Sequence, residues 1–265
     1  MNSNPQDGTS VKKYGLAFHT ATPELGLAIS NFVGDSRCQT WNLGRSFATD
    51  LHQHLVEFIG PQTWADLAFI AVAKGPGGFT GTRMGMVTAR TLAQQLDIPV
   101  FAISTLAAVA WAQPPQPPFS KGGLLSAGLP LAKDGLLSAE PPQLPLAKGG
   151  LLNTEPPQPP LASGGLLSIA LQMPAQRGQL FGAVYSVNKD SGLTELFPDT
   201  VMTAESWQEK LESWENSYQL IEVGSELGWS VSSVLELAYL QCKQGSRPDW
   251  SGALPYYGQH PVKGH

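Results

Sequence analysis

The sequence predicts an α/β fold: two lobes of mixed sheet with flanking helices, interrupted by a disordered Pro/Gly-rich loop. Three observations predict it. Apolar runs of strand length alternate with segments of helical periodicity, before and after a break in composition. The first half holds a strand, a glycine-rich turn and a helix in immediate succession, from Leu67 to about Leu96, with GPGGFTGTRMGMVTAR at Gly75–Arg90 as its centre. Between Gln113 and about Gly165 the periodicity gives way to a repeat rich in Pro and Gly.

Residues 1–12 are a polar tail, expected to be disordered, and residues 13–112 make the first lobe. Tyr14–Phe18, Leu25–Phe32 and Arg37–Leu43 read as three strands joined by tight turns, the first at Thr20–Pro23. Ser46 is a good N-cap for a helix in which Phe47, Leu51, Leu55 and Phe58 recur at helical spacing until Gly60-Pro61 stops it. Leu67–Ala73 has the continuous apolar character of a buried strand. After the glycine turn and its helix, Pro99 enters a strand ending at Ile103, and Ser104 caps a short helix to about Trp111.

The second lobe, residues 166–265, opens with strands at Leu166–Met173, Gln179–Val187 and Leu193–Pro198, with the turn PAQRG (Pro174–Gly178) between the first two. Thr203 caps a helix that carries Trp207, Leu211 and Trp214 on one face and Glu205 in its first turn. Tyr218–Val223 reads as a strand. Trp229 to about Cys242 reads as a helix turning Val231, Val234, Leu235 and Ala238 inward. The tail is expected to run extended and pack back, docked by Leu254, Tyr256 and Tyr257. Three strands, helix, strand, helix, strand, helix, then a second set of strands and helices is the layout of an actin-like, sugar-kinase-like (ASKHA) module followed by a second.

A glycine turn at a helix start can hold an anion, because the first helical N–H groups have no intrahelical partner. Gly77, Gly78 and Thr80 are the candidate anion-binding residues. The spacing is not that of a P-loop, since Lys74 precedes the glycines and no lysine follows, and it is not GxGxxG. The other reading is a tight turn that lets a helix pack closely. Gly81, Gly85 and Ala89 recur at every fourth residue, leaving one face nearly bare of side chains. Glycine inside a helix costs about 1 kcal/mol relative to alanine, so close approach of another backbone is the expected return. That element comes from this chain, a second copy or another protein. If it is a partner, a bulky residue at Gly85 blocks association and leaves the fold intact.

Of the 265 residues 42% are hydrophobic, enough for a sizeable core, and only 14% are charged, against a usual level of about 25%. Net charge is −5 with no dense Lys/Arg cluster, which argues against tight nucleic-acid binding by this chain alone. Cys38 and Cys242 form no metal or redox spacing and read as two buried thiols of a reducing compartment. His52 and His54, two apart on a helix, point to different sides and cannot chelate one metal. No stretch approaches the ~20 apolar residues of a membrane span, and Met1–Ser10 lacks the apolar core of a signal peptide, so the expected location is the cytoplasm.

The repeat kernel appears as FSKGGLLS from Phe119, LAKDGLLS from Leu131, LAKGGLLN from Leu146 and LASGGLLS from Leu161, with spacers such as EPPQ at Glu140 and Glu155. These units are too short and too rich in Pro and Gly for a helix pair or a sustained ladder, so residues 113–165 are expected to be a disordered insertion. Loop-closure entropy grows slowly with length, so such an insertion costs little if its ends sit close together.

The segment IAVAKGPGGFTGTRMGMVTARTLAQQLDIPVFAISTLAAVA (Ile70–Ala110) resembles the signature of the TsaB (YeaZ) family: GPGSFTGxRxG, a helix, an IP strand and an S[ST]L helix. GLAFHTATPELGLAIS resembles that family's opening hairpin, MPAQRGQLFGAVYSV its second hairpin and ALPYYGQHPV its last strand. The resemblance covers nearly all of Tyr14–Val262 apart from the insertion, and GPGGFTGTR is its specific part. It implies a dimerisation subunit with no catalytic residue, no metal and no cofactor of its own. The implied partners are a TsaD-like catalytic subunit and a TsaE-like ATPase, with ATP used by the complex, and a second copy of the chain when the partner is absent. The complex transfers a threonylcarbamoyl group to the adenosine beside the anticodon, so tRNA is met only through the complex. In the family the helices around the glycine turn form the dimer face, which assigns Gly75, Gly77, Phe79, Thr80, Gly81, Arg83, Gly85 and Ala89 to the partner interface.

The sequence departs from the family in two places. His19 stands where many members have Asp, and Pro174-Ala175-Gln176 where the family reads DAR. An acid at the first place organises metal and phosphates in actin-like ATPases, so its absence argues against the alternative of an ATPase or phosphotransferase acting on a small molecule. Arg83 and Arg177 remain as the best placed cations. A metal-dependent peptidase lacks support, since neither HExxH nor HxxxH occurs.

Overall fold

The computed structural model describes residues 13–113, 124–126, 168–188 and 191–258. The expectations for the N-terminal tail, for most of the repeat and for the last residues lie outside these.

β1 (Tyr14–His19), β2 (Glu24–Ser30) and β3 (Ser36–Asn42) form the expected antiparallel meander. α1 (Phe47–Ile59) follows, and β4 (Leu67–Ala73) then pairs parallel with β1, with Leu16 opposite Ile70. α2 (Phe79–Leu96) leads to β5 (Val100–Ile103), parallel to β4, which completes a sheet of order β3-β2-β1-β4-β5. α3 (Thr105–Ala112) leaves the first half of the chain, its Ser104 hydroxyl accepting from the Ala107 N–H as the sequence predicts. Ser46 does not cap in this way: a 3-10 turn precedes α1, and the Ser46 hydroxyl donates instead to the Leu43 carbonyl.

After the insertion come β7 (Ser168–Pro174), β8 (Gln179–Asn188), β9 (Gly192–Thr203), α4 (Ala204–Glu212), β10 (Tyr218–Glu222) and α5 (Val231–Lys243). Where the sequence stops a strand at Pro198, β9 continues to Thr203. Pro198 and Asp199 lie opposite Ala183 as a bulge, and β9 is an edge strand, where a residue without an N–H is tolerated.

The second sheet, β9-β8-β7-β10-β6, repeats the order and directions of the first. Its last position is filled by three residues from within the insertion. β6 (Leu124–Ser126) is the LLS of the first repeat copy, and it pairs parallel with β10, Leu124 opposite Leu220. β6 takes the place that β5 takes in the first sheet. Without it the outer edge of β10 is unpaired, and backbone pairing asks little of the sequence that supplies it.

Three apolar clusters bind the layers. α1 and α2 cover one face of the first sheet through Leu51, Leu55, Met86 and Ala89, and α4 covers the outer face of the second with Trp207 and Leu211. α3 and α5 lie in the largest cluster, with residues of both sheets. α3 is buried on every side, from Thr105 to Trp111, which explains why TLAAVAWA is apolar all round. In α5 the four residues expected to face inward, Val231, Val234, Leu235 and Ala238, are buried. In the tail the sequence misplaces one anchor. Leu254 is 62% exposed and Ala253 is buried at 4%, because successive residues of an extended segment face opposite ways.

The small-residue stripe of α2 faces the chain itself. A Cβ on Gly85 would overlap Thr20 Oγ1 and stand 3.0 Å from Thr20 Cβ, and one on Gly81 would overlap the Thr20 carbonyl. Ala89 is fully buried beneath the same helix. The element that approaches is therefore the β1–β2 turn, not a partner, and the expectation that a bulky residue at Gly85 leaves the fold intact is corrected. Gly85→Ala is expected to lower the unfolding free energy by about 1–3 kcal/mol in urea titration, with Gly85→Leu worse. Val87→Ala, on the opposite, exposed side of α2, is expected to stay within about 0.5 kcal/mol of the wild type. A wild-type midpoint for Gly85→Ala would show that the contact is not needed.

Candidate partner interface and cleft

The glycine turn carries two constraints. Gly75 has φ +100°, and a Cβ there would lie 2.6 Å from the Tyr256 carbonyl oxygen, so both its conformation and its space exclude a side chain. Gly77 lies against the Ala21 carbonyl, which also accepts the Gly78 N–H at 2.7 Å. That oxygen, rather than an external anion, satisfies the Gly78 donor. Of the three candidate anion-binding residues, Gly77 and Gly78 thus take part in close packing against Ala21, and Thr80 is exposed.

The predicted interface residues separate into two sets. Gly75, Gly85 and Ala89 are buried in the fold, and Gly77 and Gly81 are half-buried against Thr20 and Ala21. Phe79, Thr80 and Arg83 are exposed. Phe79 at 55% exposure, Arg83 and Val87 at 59% follow one another at every fourth residue, so they form a ridge on the outer face of α2. The Arg83 guanidinium stands 5.2 Å from the Phe79 ring centroid, and the Tyr257 ring 4.8 Å from it on the tail. α1, packed beside α2, exposes Val56 at 63%. Val56 and Val87 are absent from the sequence reading, which gives Tyr257 only as an anchor of the tail. The signal was present: Val87 is an apolar residue in helical register with Phe79 on a face that is otherwise polar.

Beside this ridge opens a cleft of about 1150 Å³. Its walls are the β1–β2 turn (Ala21, Thr22, Pro23), the start of α2 (Gly77 to Phe79, and Arg83), the β7–β8 turn (Pro174 to Arg177), the segment Val223–Ser225 after β10, and Tyr257. Among the described residues, Arg83 and Arg177 are the only charged ones that line it, and no carboxylate does. Arg177 adopts φ 59°, which costs a non-glycine residue about 1–2 kcal/mol. Among the described residues no group of three or more His, Cys, Asp or Glu is arranged to hold a metal. The expectation of two buried thiols is corrected: Cys38, on the edge strand β3, is exposed and Cys242 is half-buried.

His19, where the family has an acid, ends β1 and is fully buried. Neither ring nitrogen has a hydrogen-bond partner among the described residues, and burial pushes its pKa down to about 4. The imidazole is therefore neutral at physiological pH and out of reach of the cleft.

The sequence profile described as TsaD, tRNA N6-adenosine threonylcarbamoyltransferase, matches residues 59–128. The tRNA threonylcarbamoyladenosine biosynthesis protein TsaB of Bacillus subtilis is 56% identical over 45 residues, 17% of this chain and 20% of that protein. Its namesake in Buchnera aphidicola is 48% identical over 48 residues, 18% of this chain and 23% of that one. The solved structure of YeaZ from Pseudomonas aeruginosa superposes with a TM-score of 0.60 over 92% of this chain and 100% of that one, at 17% identity, which shows a shared fold. Over these matched segments the chain is similar to the TsaB proteins, and it shares its fold with YeaZ. The matched segments span only about a fifth of the length of the two TsaB relatives. The structural likeness covers both sheets and is a likeness of fold. No described helix is long and apolar enough to cross a membrane.

The burial of His19 gives a pH dependence with a definite sign. The unfolded chain takes up the proton near the ordinary value of 6.5, the folded chain only near 4. Stability is full above 6.5 and falls as pH drops through that window, by an amount on the order of 3 kcal/mol. His19→Leu is expected to remove this component when urea unfolding is followed from pH 7 to pH 4, as an order-of-magnitude range around the two values. Parallel pH profiles for the two proteins would contradict the assignment.

Proposed function

We propose that this chain is the non-catalytic dimerisation subunit of a tRNA threonylcarbamoyladenosine modification complex. It supports a TsaD-like catalytic subunit, alongside a TsaE-like ATPase that uses ATP, and it meets tRNA only through the complex. In the absence of the partner it pairs with a second copy of itself, and it works in the cytoplasm. The observation that carries this reading is the exposed ridge Phe79–Arg83–Val87 on α2, with Val56 beside it on α1. Exposed apolar side chains grouped around an arginine have the composition of an interface centre. The names of the matched relatives support the pathway, and the lack of a carboxylate in the cleft lining weighs against phosphoryl transfer by this chain. The interface is therefore the outer face of α2 rather than its glycine stripe.

Val87→Asp combined with Arg83→Glu is expected to abolish co-elution with the catalytic subunit and to lower tRNA modification by the reconstituted complex at least tenfold, on the order of 1.4 kcal/mol or more. The thermal midpoint of the isolated chain should stay unchanged, since both side chains are exposed. Co-elution and modification at wild-type level would place the interface elsewhere. Steady ATP hydrolysis by the pure chain would favour a phosphotransferase instead.

A further inference from the structure

A second cavity, of about 300 Å³, is lined by residues of β5, α3, β8, β9 and α5 and by Lys74 at the end of β4. It shares no lining residue with the larger cleft. Lys74 is fixed by its backbone: its N–H donates to the Ile103 carbonyl at 2.8 Å and its carbonyl accepts the Tyr256 N–H at 2.7 Å. Its side chain lines the cavity, and its ammonium has neither a hydrogen bond nor an ion pair among the described residues. Glu195, on β9, also lines the cavity and is likewise unpaired among the described residues.

The polar part of the wall is rigid. The Ser104 hydroxyl, in a residue only 8% exposed, accepts from the Ala107 N–H at 3.1 Å and lies 3.3 Å from the Tyr185 hydroxyl. Tyr185 donates to Asp199 Oδ1 at 2.8 Å. Burial raises both the Tyr185 and the Asp199 pKa, while the Lys74 charge acts to lower that of Asp199 and the Glu195 charge to raise it. Both free charges therefore reach the same polar wall. Asp199 already has its partners, which leaves one unpaired cation and one unpaired anion around a space at the lower end of small-ligand pockets. Leu193 and Leu237 supply an apolar side.

We propose that this cavity binds a small zwitterion, an α-amino acid with a short apolar side chain. Lys74 takes its carboxylate, Glu195 its ammonium, and Leu193 and Leu237 its side chain. A ligand without a carboxylate leaves the half-buried Lys74 unpaired, and one without an ammonium forgoes the attraction of Glu195, so the site favours a ligand that carries both charges.

The test is calorimetric titration of the full chain with L-norvaline, and with valerate and n-butylamine as analogues carrying one charge each. Norvaline is expected to give saturable binding, and each analogue to bind at least about tenfold more weakly. Lys74→Met and Glu195→Gln are each expected to weaken norvaline about tenfold or more. Glu195 is exposed, so its variant should keep the wild-type melting midpoint even if the half-buried Lys74 variant does not. Absence of saturable heat with norvaline overturns the proposal. So does wild-type norvaline affinity in Glu195→Gln, or valerate binding as tightly as norvaline.

Discussion

The contact between α2 and the β1–β2 turn governs the rest of this structure. Three glycines, Gly77, Gly81 and Gly85, face the backbone or side chain of Thr20 and Ala21, at distances that a methyl group would violate. Each glycine in the helix weakens it by about 1 kcal/mol relative to alanine. The return is that the helix lies flat on the sheet, where Met86, Ala89 and Ala93 join the core formed by Leu16, Phe18 and Ile70. The contact also fixes the rotation of α2 about its own axis. Once the glycine face is inward, Phe79, Arg83 and Val87 have only the outer face to occupy. The ridge that the proposed partner meets is thus a consequence of packing on the opposite side of the same helix.

A second tie joins this unit to the other sheet. The tail passes the glycine turn, where the Tyr256 N–H donates to the Lys74 carbonyl at 2.7 Å and its hydroxyl donates to the Asp199 carbonyl on β9. Gly258 then packs on Phe181 and Val201, and the Tyr257 ring lies over Phe79. One short extended segment therefore touches the turn before α2, the first residue of α2 and two strands of the second sheet. Both hydrogen bonds of this tie come from one residue, the backbone N–H and the side-chain hydroxyl of Tyr256.

The sequence was legible wherever periodicity and punctuation agreed. The strands β1 to β4, the caps of α3 and α4, and the inward face of α5 all carry local signals strong enough to survive packing. The glycine stripe shows the limit. A bare helix face announces that something comes close, but the identity of that element is a non-local fact, and here it is a turn about sixty residues earlier in the chain, an order-of-magnitude separation invisible to any helical window. β6 failed for a related reason: a three-residue edge strand is defined by the vacancy beside β10, not by the repeat that fills it. Phe79, Thr80 and Arg83 were chosen through family resemblance and are exposed; Val87 needed the wheel of α2 to be oriented first.

The two sheets share one order and one set of strand directions. Both halves keep the β-meander followed by parallel strands, and the two hairpin turns still converge on one cleft with Val223–Ser225 behind them. In a phosphoryl-transfer site the turns would present acids to a metal and its phosphates. Here the first turn follows a buried neutral imidazole, and the second reads Pro174-Ala175-Gln176-Arg177 with its arginine in a left-handed conformation. The cleft walls thus carry positive charge without the carboxylates that would anchor a cation. A frame of this kind can hold α2 rigidly and present its outer face, and that task depends on the backbone contacts at Thr20 and Ala21 rather than on any group in the cleft. Such a division sets His19 and the second turn, where this chain departs from the family it resembles, apart from the glycines of α2, which admit no replacement without displacing the turn they rest on.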